Sequence, residues 1–146
     1  MAESRAHAVW SGDLASGSGT VTPASGAFGE QQVTWRARTE RPDPRTSPEE
    51  LIAAAHAACY AMAFANTLAS AGSPAERLEV SATVHFDLSD GGAAISVVEL
   101  DVRGTVPGLD AAGFSDLAEQ GEAGCPVSNA LRGNVEIRLS ATLDNA

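Results

Sequence analysis

Positive charge is scarce in this sequence: 9 basic residues stand against 19 acidic ones, a formal net charge of −10. Nucleic acid and anionic membrane surfaces both call for a cationic footprint, so this balance opposes binding to either. The chain opens Met1-Ala2-Glu3-Ser4-Arg5-Ala6-His7 with no apolar run behind it, and no secretory signal is expected. The stretch Leu51 to Ala65, apolar apart from His56, falls short of the roughly 20 residues that cross a bilayer. It reads as a buried helix and not as a membrane span. Cysteine is equally sparse. Two cysteines, 66 residues apart, without a Cys-x-x-Cys or a second paired histidine, do not make the usual zinc ligand set; no metal and no bound cofactor are expected. With no export signal, the thiols point to a reducing cytoplasm. There a lasting structural disulfide is unfavourable, while a catalytic or transient one can form.

What is present fits one globular domain over residues 1–146, with 44% apolar residues and length enough for its own core. Ala6 to Trp10 reads as a short strand, Ser11 to Gly29 as a Gly/Ser/Thr-rich hairpin loop, and Gln32 to Thr39 as a further strand. Ser47-Pro48-Glu49-Glu50 carries a Ser N-cap, Pro at the first helical position and a glutamate at N3, the pattern of a capping box. The helix should run from Pro48 to about Ala71 and stop at Gly72. Its middle is apolar on nearly every face and must be covered all round; a homodimer sandwiching such helices is the economical solution. Leu78 to Leu88 alternates strictly as a strand with one wet face. Ala94 to Val106 follows as its partner, with a phase switch at Val97-Val98 that suggests a β-bulge. Leu109 to Glu122 reads as a helix, a short helix opens at Cys125, and Val135 to Leu143 closes the chain as a strand. The fold class is α+β with antiparallel sheets and a long central helix.

Each cysteine has a setting that bears on its chemistry. Cys125, in Gly124-Cys125-Pro126-Val127-Ser128, precedes a helical proline and so takes the N-cap, where free backbone N–H groups and the helix dipole favour a thiolate. Cys59, in His56-Ala57-Ala58-Cys59-Tyr60, lies mid-helix and needs a cation or donor from elsewhere. His56, three residues earlier on the same face, is one candidate. A core histidine bonded to a carbonyl is the plainer reading of His56, and two buried inert thiols the plainer reading of the cysteines. His7 and His85 read as surface residues.

The stretch Thr46-Ser47-Pro48-Glu49-Glu50-Leu51-Ile52-Ala53-Ala54-Ala55-His56-Ala57-Ala58-Cys59 resembles the signature of the OsmC/Ohr family of thiol peroxidases, and Gly124-Cys125-Pro126-Val127-Ser128 its second cysteine motif. Trp10-Ser11-Gly12-Asp13-Leu14 and Gly104-Thr105-Val106-Pro107-Gly108 also fit, so the resemblance spans almost the whole chain. His56, where the Ohr branch usually has Tyr, is similar to the OsmC branch. The resemblance implies an intertwined homodimer, active in oxidative and osmotic stress, that reduces organic hydroperoxides and, less well, hydrogen peroxide. It implies Cys59 as the peroxidatic cysteine, Cys125 as the resolving one, Glu49 as the active-site carboxylate, and an external dithiol as reductant. The family's arginine lies near the end of the strand before the helix, which favours Arg38, with Arg36 and Arg45 as alternatives. Arg38 would hold Cys59 as thiolate, which attacks the peroxide and becomes a sulfenic acid; Cys125 then condenses with it to a disulfide. Tyr60, Met62 and Phe64 either shape an apolar substrate pocket or are plain core.

Ten residues of straight helix between Glu49 and Cys59 span about 15 Å, too far for direct contact. Either the helix breaks near Ala53–Ala55, or Arg38 and Glu49 reach Cys59 from a partner subunit. Taken alone, Glu49 also suits the positive end of the helix dipole. Two rival readings stand beside the enzyme: a thiol-switch peroxide sensor that oxidises without turnover, and a structural dimer with buried thiols.

Overall fold

The computed structural model describes residues 1–145. In chain order the elements are β1 (Ala6–Ser11), β2 (Ser18–Pro23), β3 (Gln31–Val33), α1 (Trp35–Thr39), α2 (Pro48–Ser70), β4 (Arg77–Ser89), β5 (Gly92–Thr105), α3 (Ala111–Ala123), α4 (Pro126–Leu131) and β6 (Glu136–Leu143). They group into two compact units, Met1–Leu51 and the chain from Ile52 onward.

In the first unit β1, β2 and β3 form an antiparallel sheet in that order. The strand expected over Gln32 to Thr39 is cut short. Thr34 Oγ1 accepts the Ala37 N–H at 3.0 Å, and Trp35–Thr39 winds into the short helix α1. The Thr34 cap starts a turn in which Arg36, Ala37 and Arg38 are good helix formers. Arg41 then ties the following loop together, donating to the carbonyls of Ala37 and Arg45 and to the Glu50 carboxylate. At the start of α2, Ser47 Oγ accepts the Glu50 N–H at 3.1 Å. The Glu50 side chain is held by Arg41 at 2.7 Å, so the other half of the expected capping box gives way to a charge-assisted bond.

The second unit is built on a three-stranded sheet in the order β4-β5-β6. β4 and β5 pair antiparallel, with Ser96 inserted between Val97 and Ile95 opposite His85 and Phe86. The bulge thus falls one residue before the expected site, and the Ser96 hydroxyl donates to Asp87. β6 pairs with β5 in parallel, from Val97↔Glu136 to Gly104↔Leu143. That corrects the all-antiparallel expectation: the sheet is mixed. The physical reason is the connection, since two helices lie between Thr105 and Glu136 and a crossover of that length lets a strand return in the same direction.

Helix α2 runs unbroken over 23 residues to Ser70, and Gly72 supplies the left-handed turn beyond it at φ 82°. His56, Tyr60, Phe64 and Leu68 form its buried stripe, at i,i+4 spacing. Tyr60, Phe64 and Leu68 share a core with Val98, Leu100 and Val102 of β5, Phe114 and Ala118 of α3, and Cys125. Phe64 stacks between Tyr60 and Phe114, with ring centroids 5.7 and 5.1 Å away. Gly104 lies directly under the Phe114 ring, where a Cβ would come within 2.7 Å of ring carbons. The opposite face of α2 is not covered within one chain: Ala54, Ala55, Ala58, Met62 and Ala65 are exposed. The expectation of a helix buried all round is therefore not met by a single copy. By length and mean hydropathy alone α2 also qualifies as a membrane span, contrary to the shorter apolar count over Leu51 to Ala65. Its buried stripe is nonetheless seated in this core.

Candidate active site

The expected residues fall into two sets, one in each unit. In the first unit, helix α1 presents Arg38 to the first turn of α2. Arg38 Nε donates to Glu49 Oε1 at 2.8 Å, and Glu49 is only 6% exposed. Its other oxygen, Oε2, is buried without a hydrogen-bond partner among the described residues. The Arg38 guanidinium also sits 5.9 Å from the centre of the Trp35 ring, within cation–π reach. Of the alternative arginines, Arg36 pairs with Glu40 on the surface and Arg45 with Asp43. Beside Arg38 lies a hollow of about 310 Å³ lined by Trp10, Leu14, Val33, Trp35 and Pro48. One wall is apolar and the other carries a permanent cation.

In the second unit, α2 and the start of α4 bring the two thiols together. Both are free cysteines, Cys59 half-buried and Cys125 fully buried. The Cys59 thiol lies within electrostatic reach of the Cys125 side chain and of the Val127 backbone. Cys125 occupies the N-cap of α4 as expected, but its side chain makes no capping bond. Burial pushes the Cys59 thiol above the ordinary value, the Cys125 side chain adds to that, and the Val127 backbone opposes it. Burial is the largest of these effects, so Cys59 is held toward its neutral form.

His56 does not turn to Cys59. Its Nε2 lies 2.7 Å from Ser128 Oγ, both residues are fully buried, and Nδ1 has no hydrogen-bond partner among the described residues. Burial lowers the His56 pKa, with the Glu122 charge pulling the other way, so the ring is neutral at pH 7. The carbonyl partner expected for a core histidine is replaced by a hydroxyl. Tyr60 and Phe64 are core, Tyr60 O–H donating to the Ala118 carbonyl at 3.0 Å, and Met62 is on the exposed face. Val127 and Ser128 are the residues that reasoning from sequence passed over. Both lie in the second cysteine motif, but their partners are on another helix. Among the described residues no group of three or more His, Cys, Asp and Glu side chains gathers in a way that could hold a metal ion.

A family model described as "OsmC-like protein" matches residues 41–140. Peroxiredoxin OsmC of Escherichia coli K12 is 38% identical over 133 residues, covering 91% of this chain and 92% of its own. The chain belongs to the OsmC-like family. The organic hydroperoxide resistance protein of Xanthomonas axonopodis pv. citri is 36% identical over 100 residues, 65% of this chain and 66% of its own. A solved structure of an organic hydroperoxide resistance protein from Elizabethkingia anophelis superposes with a TM-score of 0.73, at 27% identity and 96% coverage of each chain. The fold of the family, helices with two small sheets, is therefore the fold of this chain. Both cysteine motifs lie within the family match.

Proposed function

We propose that this protein is a thiol peroxidase that reduces organic hydroperoxides, and hydrogen peroxide less well, to alcohols or water. The observation that carries this reading is the meeting of Cys59 on α2 with Cys125 at the start of α4, close enough for the Cys125 side chain to act on the Cys59 thiol. The names of the relatives support the same class of chemistry. The Cys59 thiolate attacks the distal peroxide oxygen, the O–O bond breaks, and an alkoxide leaves and takes up a proton. Cys59 is then a sulfenic acid. Cys125 attacks its sulfur, the disulfide forms with loss of water, and an external dithiol restores both thiols by exchange.

In this reading the protein works as a homodimer in the cytoplasm, and Arg38 with Glu49 serves the Cys59 of a partner subunit. Two observations support that. Burial holds Cys59 toward its neutral form, so a cation has to be supplied. The exposed alanine and Met62 face of α2 is apolar and uncovered in one copy. The hollow beside Arg38 matches an alkyl or aryl hydroperoxide, with apolar walls for the organic group and a guanidinium for the peroxide oxygens.

The test treats the reduced protein with cumene or tert-butyl hydroperoxide, with and without a dithiol, and maps disulfides by mass spectrometry. Repeated turnover and a Cys59–Cys125 disulfide are expected, together with inactivity of Cys59→Ser. Full activity of Cys59→Ser would falsify the reading. Stoichiometric oxidation without turnover makes the protein a thiol switch instead.

A further inference from the structure

The same short spacing occurs twice around the thiols. His56 precedes Cys59 by three residues on α2, and Ser128 follows Cys125 by three residues into α4. Residues three apart on a helix share a face. The His56 Nε2–Ser128 Oγ contact at 2.7 Å and the approach of the two thiols therefore lie side by side, about 4.5 Å apart along the helix. His56 and Ser128 are both 0% exposed, so bulk water does not compete for their bond. With Nδ1 unpartnered among the described residues, the imidazole is held through Nε2 alone.

The remaining contacts of α4 make this bond informative. Asn129 donates to the Ala123 carbonyl and Arg132 to the Glu122 carboxylate, which fastens α4 to α3 and not to α2. The Val127 backbone of α4 also acts on the Cys59 thiol of α2, and that sulfur is the atom altered by oxidation. The His56–Ser128 bond involves neither sulfur.

We propose that the His56–Ser128 hydrogen bond is a positioning latch for disulfide closure: it holds α4 against α2 so that Cys125 stays within reach of Cys59 once Cys59 has been oxidised. The inference rests on the peroxidase reading above and goes beyond it by assigning two positioning residues. In the step concerned, the Cys125 sulfur attacks the sulfenic sulfur of Cys59, the S–S bond forms and the S–O bond breaks. Hydroxide leaves and combines with the Cys125 proton as water. A disulfide tolerates only a narrow range of Cβ separations, so a small drift of α4 slows closure. The attack on peroxide needs no Cys125, so loss of the latch separates the two steps.

Single-turnover oxidation of the reduced full chain with tert-butyl hydroperoxide tests this. Cys59 sulfenic acid is trapped with dimedone, and the disulfide is counted by intact mass after alkylation. Ser128→Ala should form sulfenic acid at the wild-type rate and close the disulfide about 10- to 100-fold more slowly, the scale of loss expected for a misplacement of about 1 Å. More Cys59 should then pass to sulfinic acid in excess peroxide. Ser128→Thr, which keeps the hydroxyl, should restore most of the closure rate, and His56→Leu should behave like Ser128→Ala. Closure at wild-type speed in both Ser128→Ala and His56→Leu overturns the latch, and so does a parallel slowing of both steps, which a general loosening of the fold would cause. A wild-type protein that forms no Cys59 sulfenic acid overturns the peroxidase reading, and the latch with it.

Discussion

Removing Arg38 should cost more stability than removing its partner, and the asymmetry follows from burial. Glu49 is 6% exposed, with one oxygen 2.8 Å from Arg38 Nε and the other without a hydrogen-bond partner among the described residues. Arg38→Ala leaves that carboxylate out of water and stripped of its ion pair. Breaking a buried pair in this way costs about 3–5 kcal/mol. The Arg38 side chain is 30% exposed, and water entering the space it leaves brings the expectation to the lower end, about 3 kcal/mol. Glu49→Gln has a smaller effect, because the guanidinium left behind already reaches solvent and the amide oxygen still accepts; about 1 kcal/mol is expected. The double variant Arg38→Ala/Glu49→Gln removes both charges and should regain at least about 1.5 kcal/mol of the Arg38→Ala loss, a coupling of the size found for residues in contact. Urea titrations followed by circular dichroism, at pH 7 and one fixed protein concentration, measure all three; fixing the concentration matters because association adds to apparent stability. An Arg38→Ala loss below about 0.5 kcal/mol, the range of an ordinary surface substitution, refutes the reasoning. A double variant whose loss equals the sum of the two single losses refutes it equally.

Other perturbations test separate parts of the structure. The His56 pKa is lowered by burial, so below about pH 6.5 the unfolded chain takes up a proton that the folded chain refuses. Stability should fall as pH drops through that value, by up to about 1.4 kcal/mol per pH unit from this residue. Urea midpoints for His56→Gln should lack that increment between pH 6.5 and 5, and equal slopes in the two proteins would refute it. Gly104→Ala drives a methyl into the Phe114 ring and Leu78 and should cost about 1–3 kcal/mol by overpacking; a variant melting with the wild type would show that the ring moves aside freely. Met62, 69% exposed on the apolar face of α2, should become intolerant of charge if that face is a subunit interface. Met62→Glu is expected to sediment as a smaller species with its far-UV spectrum kept, and an unchanged mass would remove that face from the proposed dimer. Arg38→Ala should also lower peroxidase turnover by about 100-fold, as loss of one preorganised electrostatic contact does; turnover within a few-fold of wild type would remove Arg38 from the mechanism.

Helix α2 and strand β4 were legible because their signals are local. Ser47, Pro48 and Gly72 mark the helix ends, and strict alternation from Leu78 to Leu88 marks a half-buried strand. The direction of β6 is not local: its alternation is the same whether it pairs parallel or antiparallel, and only the two-helix connection decides. Helix α1 was hidden for a different reason. Trp35–Thr39 was read with the strand before it, yet Thr34 caps it as a short helix, and that turn is what aims Arg38 at Glu49. The arginine was thus selected by resemblance while the element carrying it was misread.

The thiols show where reading from sequence stops. The N-cap position of Cys125 gave it a reason to ionise, and the helix does take shape with Cys125 at its cap. The backbone of that helix at Val127, however, favours the thiolate of Cys59, on another helix. No spacing between residues 59 and 127 encodes this; it depends on how α4 is seated against α2. The same seating pairs His56 with Ser128, two residues visible in separate motifs with nothing in either to join them. The Val127 backbone does not outweigh burial, which keeps Cys59 on the neutral side within a single chain. Under the proposed mechanism the missing charge is Arg38, already fixed by Glu49 and Trp35 before any thiol arrives. The reactivity of Cys59 is then a property of the assembly and not of its helix, and an isolated chain should hold a sluggish thiol until a second copy brings it a guanidinium.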